Sequence, residues 1–224
     1  MESIAIDGPA GVGKSTVATG LASKLGMEIF DSGAVYRAVG VATQIAGIEA
    51  SDESAIIEYF KNMDITVKHI CGVQRTFLNG EDITHLLKQN GMGERTTEIA
   101  GHPKVRRAMN KIFDKIGIKK GYVIEGRDIG TYMLPNAKVK FFLTASVEVR
   151  AKRRFDQYVA SGEPANLEDI ARAIELRDYM DTTRKVAPLK RAPDAVEIDS
   201  SDMSAEETIE MMLKIVEDKI KKGA

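Results

Sequence analysis

The sequence predicts an α/β domain built on a five-stranded parallel sheet flanked by helices. Three observations carry that prediction. Short apolar runs alternate with longer stretches of helical spacing. A glycine-rich loop joins the first run to the first helical stretch. The alternation breaks once, at a β-rich patch with a hairpin signal.

Ile4-Ala5-Ile6, stopped at once by glycines, suits a buried parallel strand. Val17, Ala18, Leu21, Ala22 and Leu25 recur at helical spacing, and Gly26 ends that helix. Glu28-Ile29-Phe30 is a second strand, followed by a helix from Ala34 to Ala46 with Gly47 beyond it. Ile65-Thr66-Val67 and Thr76-Phe77-Leu78 are strand-like, and Asn79-Gly80 is a hairpin turn pair. An antiparallel patch in an α/β chain reads as an insertion, placed at 64–96. A helix runs from Pro103 to about Ile116. Tyr122-Val123-Ile124-Glu125, ending at Gly126, is the third parallel strand, and Val139 to Leu143 the fourth. Two charged helices follow, Ser146 to Ala160 and Leu167 to Met180, the second with Asn166 as N-cap. Ala195 to Ile198 is the fifth strand. Ser204 and Glu207 form a capping box for a final helix with Ile209, Met212, Leu213, Val216 and Ile220 on one face. The reading is one domain over 1–224, with the insertion and a lid region at 150–191 inside it.

The 224 residues suffice for one well-buried domain and are few for two. Apolar residues make up 43% and charged residues 29%, which excludes wholesale disorder. A net charge of −1 argues against a surface for nucleic-acid polymers or anionic membranes. Cys71 is the sole cysteine, so no intramolecular disulfide forms. No run approaches the length of a membrane span. These features lead us to expect a soluble, cytoplasmic monomer.

Gly8-Pro9-Ala10-Gly11-Val12-Gly13-Lys14-Ser15 matches G-x-x-x-x-G-K-[ST], with a strand before and a helix after. Such a loop turns backbone N–H groups toward a triphosphate, and the helix N-terminus adds partial positive charge. Lys14 reaches the β- and γ-phosphates, the Ser15 hydroxyl ligates Mg²⁺, and Thr16 follows at the same helix end. This pattern predicts a nucleoside triphosphate and Mg²⁺, without saying which NTPase or kinase.

Two more segments fall after strands, where open α/β sheets bind ligands. Asp31-Ser32-Gly33-Ala34-Val35-Tyr36-Arg37 places Ser32 and Arg37 near an anionic group; read alone, they are a helix N-cap and a solvent-facing arginine. Gly126-Arg127-Asp128-Ile129-Gly130 places a cation and a carboxylate at the same edge. Between residues 150 and 191 lie Arg150, Lys152, Arg153, Arg154, Arg172, Arg177, Arg184, Lys185, Lys190 and Arg191. Beside a phosphate loop, this local basic enrichment reads as a mobile lid that stabilises charge and excludes water. His69, His85 and His102 have no metal-ligand spacing, and the ten methionines read as core filling.

These motifs, with Arg177-Asp178 through Asp181 and Arg184 to Ala187-Pro188-Leu189, together resemble bacterial cytidylate kinase along essentially the whole chain. The resemblance implies a P-loop kinase fold with an acceptor-side insertion and a helical lid. It implies transfer of the γ-phosphate of ATP to CMP, with dCMP as a second acceptor. It makes Ser32, Tyr36 and Arg37 acceptor-site residues, and puts Thr97, Arg106 and Asp128 on the cytosine ring. It puts Arg127 on the acceptor phosphate, Arg177 and Asp181 near the ribose, and Arg184 closing on the phosphates. Arg153 and Arg154 would face the donor. Lys14, Arg127 and Arg184 are the expected catalytic groups. Thr97 replaces a Ser found in some members and keeps the hydroxyl; Thr182 replaces an Arg and removes one lid cation. Rival readings are a kinase for UMP, dTMP or an acid such as shikimate, and a non-enzymatic nucleotide-binding switch. Arg127-Asp128 and the insertion argue against shikimate, and acceptor-site arginines argue against a switch.

Overall fold

The computed structural model describes residues 2–89, 91–116 and 121–223. The first half of the chain forms β1 (Ile4–Asp7), α1 (Lys14–Leu25), β2 (Glu28–Asp31), α2 (Ser32–Ile45), α3 (Glu53–Tyr59), β3 (Ile65–Ile70), β4 (Val73–Leu78), β5 (Glu81–Asp82) and α4 (Met92–Gly101). The second half forms α5 (Pro103–Ile116), β6 (Tyr122–Gly126), β7 (Val139–Thr144), α6 (Val147–Ser161), α7 (Leu167–Thr183), β8 (Val196–Asp199) and α8 (Ala205–Gly223).

The main sheet has five strands in the order β2-β6-β1-β7-β8, all paired in parallel. Successive side chains of a strand point to opposite faces, and β1 shows the result. Ile4 and Ile6 pack with Val17, Leu21, Met212 and Val216 on the α1–α8 side. Ala5 packs with Phe30, Val35, Val39 and Met109 on the other. Both faces are covered, so the strands read as continuous apolar runs rather than alternating ones. Local chemistry sets the expected boundaries. Gly26 closes α1 in a left-handed conformation. Asn166 caps α7 by accepting from the Asp169 N–H, and Ser204 and Glu207 form their reciprocal box ahead of α8. The side chain of Ile220, expected on the apolar face of α8, lies outside the described residues.

The structure differs from the sequence reading in three places. Helix α2 starts at Ser32 rather than Ala34, because Asp31 is its cap, accepting from the Ala34 N–H at 2.9 Å. Ser32 is therefore not the cap. Helices α3 and α4 have no counterpart in the apolar pattern. In α4 the buried face mixes Met92, Ile99 and Ala100 with Thr96 and Thr97, which dilutes the periodicity. Finally, the β3–β4 hairpin turns at Cys71-Gly72, which the sequence reading did not mark, while Asn79-Gly80 is, as read, a two-residue hairpin turn, joining β4 to the short β5. Both turn pairs have positive φ at both residues, as two-residue hairpins require.

Strand β2 is an edge, and unpaired edge groups invite wrong partners. The β3–β4 hairpin covers this one with side chains. Gln74 Oε1 accepts from the Asp31 N–H at 2.8 Å, and Gln74 Nε2 donates to the Asp31 carbonyl at 3.2 Å. His69, opposite Gln74 in the hairpin, donates Nε2–H to the Ile29 carbonyl at 2.6 Å. An amide and an imidazole thus take the place of a sixth strand. His102 likewise meets a backbone carbonyl, that of Ala50, at 2.7 Å, while His85 is exposed. Gln74→Ala deletes two hydrogen bonds at the edge and is expected to lower unfolding free energy by about 2 kcal/mol in urea titrations. An unchanged midpoint would show that this amide does not hold the hairpin down.

Candidate active site

The loop between β1 and α1 lies at the carboxyl edge of the sheet. Gly8 is required by close approach: a Cβ there would stand 2.2 Å from the Leu143 carbonyl oxygen. Lys14 opens α1, is 6% exposed, and donates Nζ to the carbonyls of Gly8 at 2.9 Å and Pro9 at 2.7 Å. Burial, with Arg127 next, holds its ammonium well below the usual lysine range.

The turn after β6 is fixed from below. Asp7, the last residue of β1, accepts from the Ile129 N–H at 2.8 Å and the Gly130 N–H at 2.7 Å. Burial pushes its carboxyl up to about 6 despite those bonds. Gly126 allows β6 to meet α2, because a Cβ there would lie 2.6 Å from Ser32 Oγ and 2.7 Å from Ile129 Cδ1. Ser32 Oγ donates to the Glu125 carbonyl at 2.8 Å. Glu125 points its carboxylate between Lys14, Ser15, Asp31 and Arg37, and burial followed by Asp31 pushes it up to about 7. Its Oε1 is buried without a hydrogen-bond partner.

These edges enclose a cleft of about 420 Å³, lined by nine basic side chains and four carboxylates. Arg37 pairs with Asp31 at 2.5 Å. Arg127 donates Nε to Asp181 at 2.8 Å. Burial raises the Asp181 carboxyl, but Arg127 and Arg184 outweigh it and leave it below the usual range. Arg177 is lowered to about 10 by burial and then by Arg127, and its Nε has no partner. At the far end Arg106, 2% exposed, pairs with Asp128 and lies over the rings of Tyr36 and Tyr132. Arg106 Nε is also buried and unpartnered. Tyr36 is pushed up to about 12 by burial, so it stays a neutral phenol.

The cleft gathers Gly11, Gly13, Lys14, Ser15, Thr16, Ser32, Tyr36, Arg37, Thr97, Arg106, Arg127, Asp128, Arg153, Arg154, Arg177, Asp181 and Arg184, residues spread over the four motifs and the helices between them. Gly8, Pro9, Ala10 and Val12 do not face it. Gly8 and Pro9 serve through the carbonyls that seat Lys14. Arg184, expected on the phosphates, instead donates to Asp128 at 3.1 Å, Asp181 at 3.4 Å and the Ala187 carbonyl at 2.6 Å. Arg153 joins the loop to the strand β8 end, through the Val12 and Ser200 carbonyls. Thr97 donates back to the Gly93 carbonyl at 2.9 Å. Sequence reasoning missed Glu125, the Asp31 carboxylate and Lys88 as lining groups, and Asp7 as a support. A usable signal existed: Asp7, Asp31 and Glu125 each directly follow a short buried apolar run near the carboxyl end of a strand, Ile4-Ala5-Ile6, Ile29-Phe30 and Val123-Ile124.

A loop shaped for a triphosphate, facing cations that the protein holds apart by paired carboxylates, defines a phosphotransferase of the P-loop class. Known sequences narrow the class. A sequence model of cytidylate kinase matches residues 4–218. The cytidylate kinase of Geobacillus sp. (strain WCH70) is 44% identical over 97% of this chain and 97% of that protein. The cytidylate kinase of Bacillus subtilis (strain 168) is 42% identical over the same shares. The chain belongs to the cytidylate kinase family.

The raised Glu125 carboxyl has a consequence for stability. A carboxyl with a higher pKa folded than unfolded stabilises the fold in its protonated form. That contribution is full below about 4.5 and is lost as pH rises through about 7. Glu125→Gln cannot ionise, so its melting temperature, measured without nucleotide or metal, should match wild type at pH 4.5. Above pH 7 it should exceed wild type by about 4 °C or more. A difference that stays constant with pH would show that Glu125 does not titrate in this range.

Proposed function

We propose that the chain transfers the γ-phosphate of ATP to CMP, and to dCMP as a second acceptor, giving ADP and CDP or dCDP. The observation that carries this reading is the buried Arg106–Asp128 pair at the end of the cleft away from the phosphate loop. Asp128 accepts from Arg106 and Arg184 and retains lone-pair capacity for an amino donor. Cytosine offers a 4-amino donor and an N3 acceptor; uracil offers the reverse. A carboxylate beside a guanidinium matches the first pattern and opposes the second.

The acceptor phosphate has a second pKa of about 6, so its attacking oxygen is anionic near neutral pH and needs no general base. Catalysis is then positioning and charge stabilisation. Lys14 neutralises the β- and γ-phosphates. Arg37, Arg127 and Arg177 grip the acceptor phosphate and ribose, held open by Asp31 and Asp181. Arg153 and Arg154 serve the donor side, and the part of the α6–α7 hairpin beyond its Arg150–Asp178 anchor closes as the lid. Arg184 turns from its carboxylates to the phosphates as the site closes. The orphaned Glu125 Oε1 beside the Ser15 hydroxyl is a hard-oxygen pair that fits Mg²⁺. Ser15 would hold the ion with Glu125 behind it, and the ion would supply charge neutralisation on the phosphates. Among the described residues no cluster of three acidic, His or Cys side chains exists, and an ion that shares its coordination with phosphates does not need one. One chain supplies every group invoked, so the monomer is the working unit. Cys71 is an exposed free thiol, which suits a reducing cytoplasm.

A coupled ADP-release assay over CMP, dCMP, UMP, dTMP and shikimate tests the reading. kcat/KM for CMP should exceed that for UMP by about a hundredfold or more. Asp128→Asn should narrow the gap, since an amide can present N–H to the uracil oxygen. Equal efficiency on CMP and UMP in wild type would overturn the base-pocket assignment. Lys14→Ala should lower kcat by about a hundredfold or more while circular dichroism stays native. Near-normal turnover in that variant would remove Lys14 from the chemistry.

A further inference from the structure

The phosphate loop is held by a pair of charges that the cleft does not use. Asp178 Oδ1 accepts from the Ala10 N–H at 3.1 Å. Asp178 Oδ2 accepts from Arg150 Nη1 at 2.6 Å, and the same Nη1 donates to the Ala10 carbonyl at 2.9 Å. Arg150 Nε donates to the Ala145 carbonyl at 2.9 Å, which ties the pair to the end of β7. The Arg150 side chain is 5% exposed and that of Asp178 20%. One ion pair therefore fixes both polar groups of Ala10, at the apex of the loop. Beside it, a Cβ on Gly11 would lie 3.5 Å from Arg150 Cβ and 3.6 Å from Ile174 Cδ1, so α6 and α7 also pack directly on the loop.

Helix α7 carries more than this anchor. Arg177, adjacent to Asp178, and Asp181, three residues on, both line the cleft, and Asp181 accepts from Arg127. A helix rises about 1.5 Å per residue, so these groups sit within one rigid turn. That turn touches the donor loop through Asp178 and the acceptor-gripping Arg127 through Asp181. We infer that Asp178, braced by Arg150, is a positioning residue: it couples the phosphate loop to α7 and so sets the separation between the donor and acceptor halves of the site. This inference rests on the phosphoryl transfer proposed above. In-line transfer depends on that separation, and an error of about 1 Å at the reacting atoms costs about a hundredfold. The pair meets the loop at Ala10, and none of Ala10, Arg150 and Asp178 lines the cleft, so its loss acts on the separation of the two halves more than on the binding of either nucleotide alone.

The test measures kcat and both KM values for Asp178→Ala, Asp178→Asn and Arg150→Lys, each well below its melting temperature. Asp178→Ala should lower kcat by about a hundredfold with the KM values for ATP and CMP within about threefold of wild type. Asp178→Asn restores an acceptor for the Ala10 N–H and should recover about tenfold of the loss. A purely structural pair would lower the melting temperature and leave kcat intact in the folded fraction. Any of three results overturns the coupling: kcat within threefold of wild type in Asp178→Ala, Asn no better than Ala, or a rise in KM with kcat unchanged. If the alanine variant does not fold, Asp178→Asn and Arg150→Lys decide alone, and wild-type kcat in both overturns it. Wild type measured in parallel separates the two readings. Its failure on CMP counts against the substrate, and the variant ratios are then taken with whichever acceptor the wild type uses.

Discussion

Cations that must share an anionic ligand repel one another before that ligand arrives, and this constraint governs the site. Nine basic side chains converge on one sheet edge in a chain of net charge −1. Lys14 and Arg177 show the cost, since burial and neighbouring arginines weaken the hold of each on its proton. Carboxylates placed between the cations relieve it. Asp31 takes Arg37, Asp128 takes Arg106 and Arg184, and Asp181 takes Arg127 and Arg184. Each acid is shared or already engaged, so no guanidinium is so tightly satisfied that it cannot serve a phosphate. The unpartnered Nε atoms of Arg106 and Arg177 and the Oε1 of Glu125 mark where that satisfaction stops.

The sheet makes this arrangement possible. Parallel strands bring their carboxyl ends to one edge; β1 and β2 end in an acid, and β6 carries Glu125 one residue before its last. Asp7 spends its charge on the backbone of the β6 turn, which aims Arg127 and Asp128. Asp31 caps α2 and holds Arg37, while its own peptide is gripped by Gln74. The small antiparallel sheet is thereby joined mechanically to the acceptor half. On the donor side, Arg150 and Asp178 do the corresponding work for the phosphate loop. The interior of the domain thus supports the cleft through polar side chains that reach backbone groups as well as through apolar packing.

Local signals were legible wherever the interaction is short in sequence. The phosphate loop, the Gly26 stop, the Asn166 cap and the Ser204–Glu207 box all lie within a few residues, and each appears in the structure as read. The five strands were legible because burial on both faces leaves continuous apolar runs. Helix α4 was not, since two of its five buried residues are threonine and its partners come from α2, α5 and α7. The Cys71-Gly72 turn was not, since a cysteine in the left-handed region is a weak prior signal.

The sequence by itself determined the five parallel strands and most of the helices, the phosphate-loop signature and, through the resemblance of four ordered motifs, the family. Those rest on contacts between near neighbours and on residue types that few other chemistries require. Only the tertiary structure decided which charges pair. Arg106 meets Asp128 across 22 residues, Gln74 meets Asp31 across 43, and Ala10 meets Asp178 across 168. Such pairings depend on where the sheet order and the hairpin dock place each strand end, and no local pattern encodes those distances.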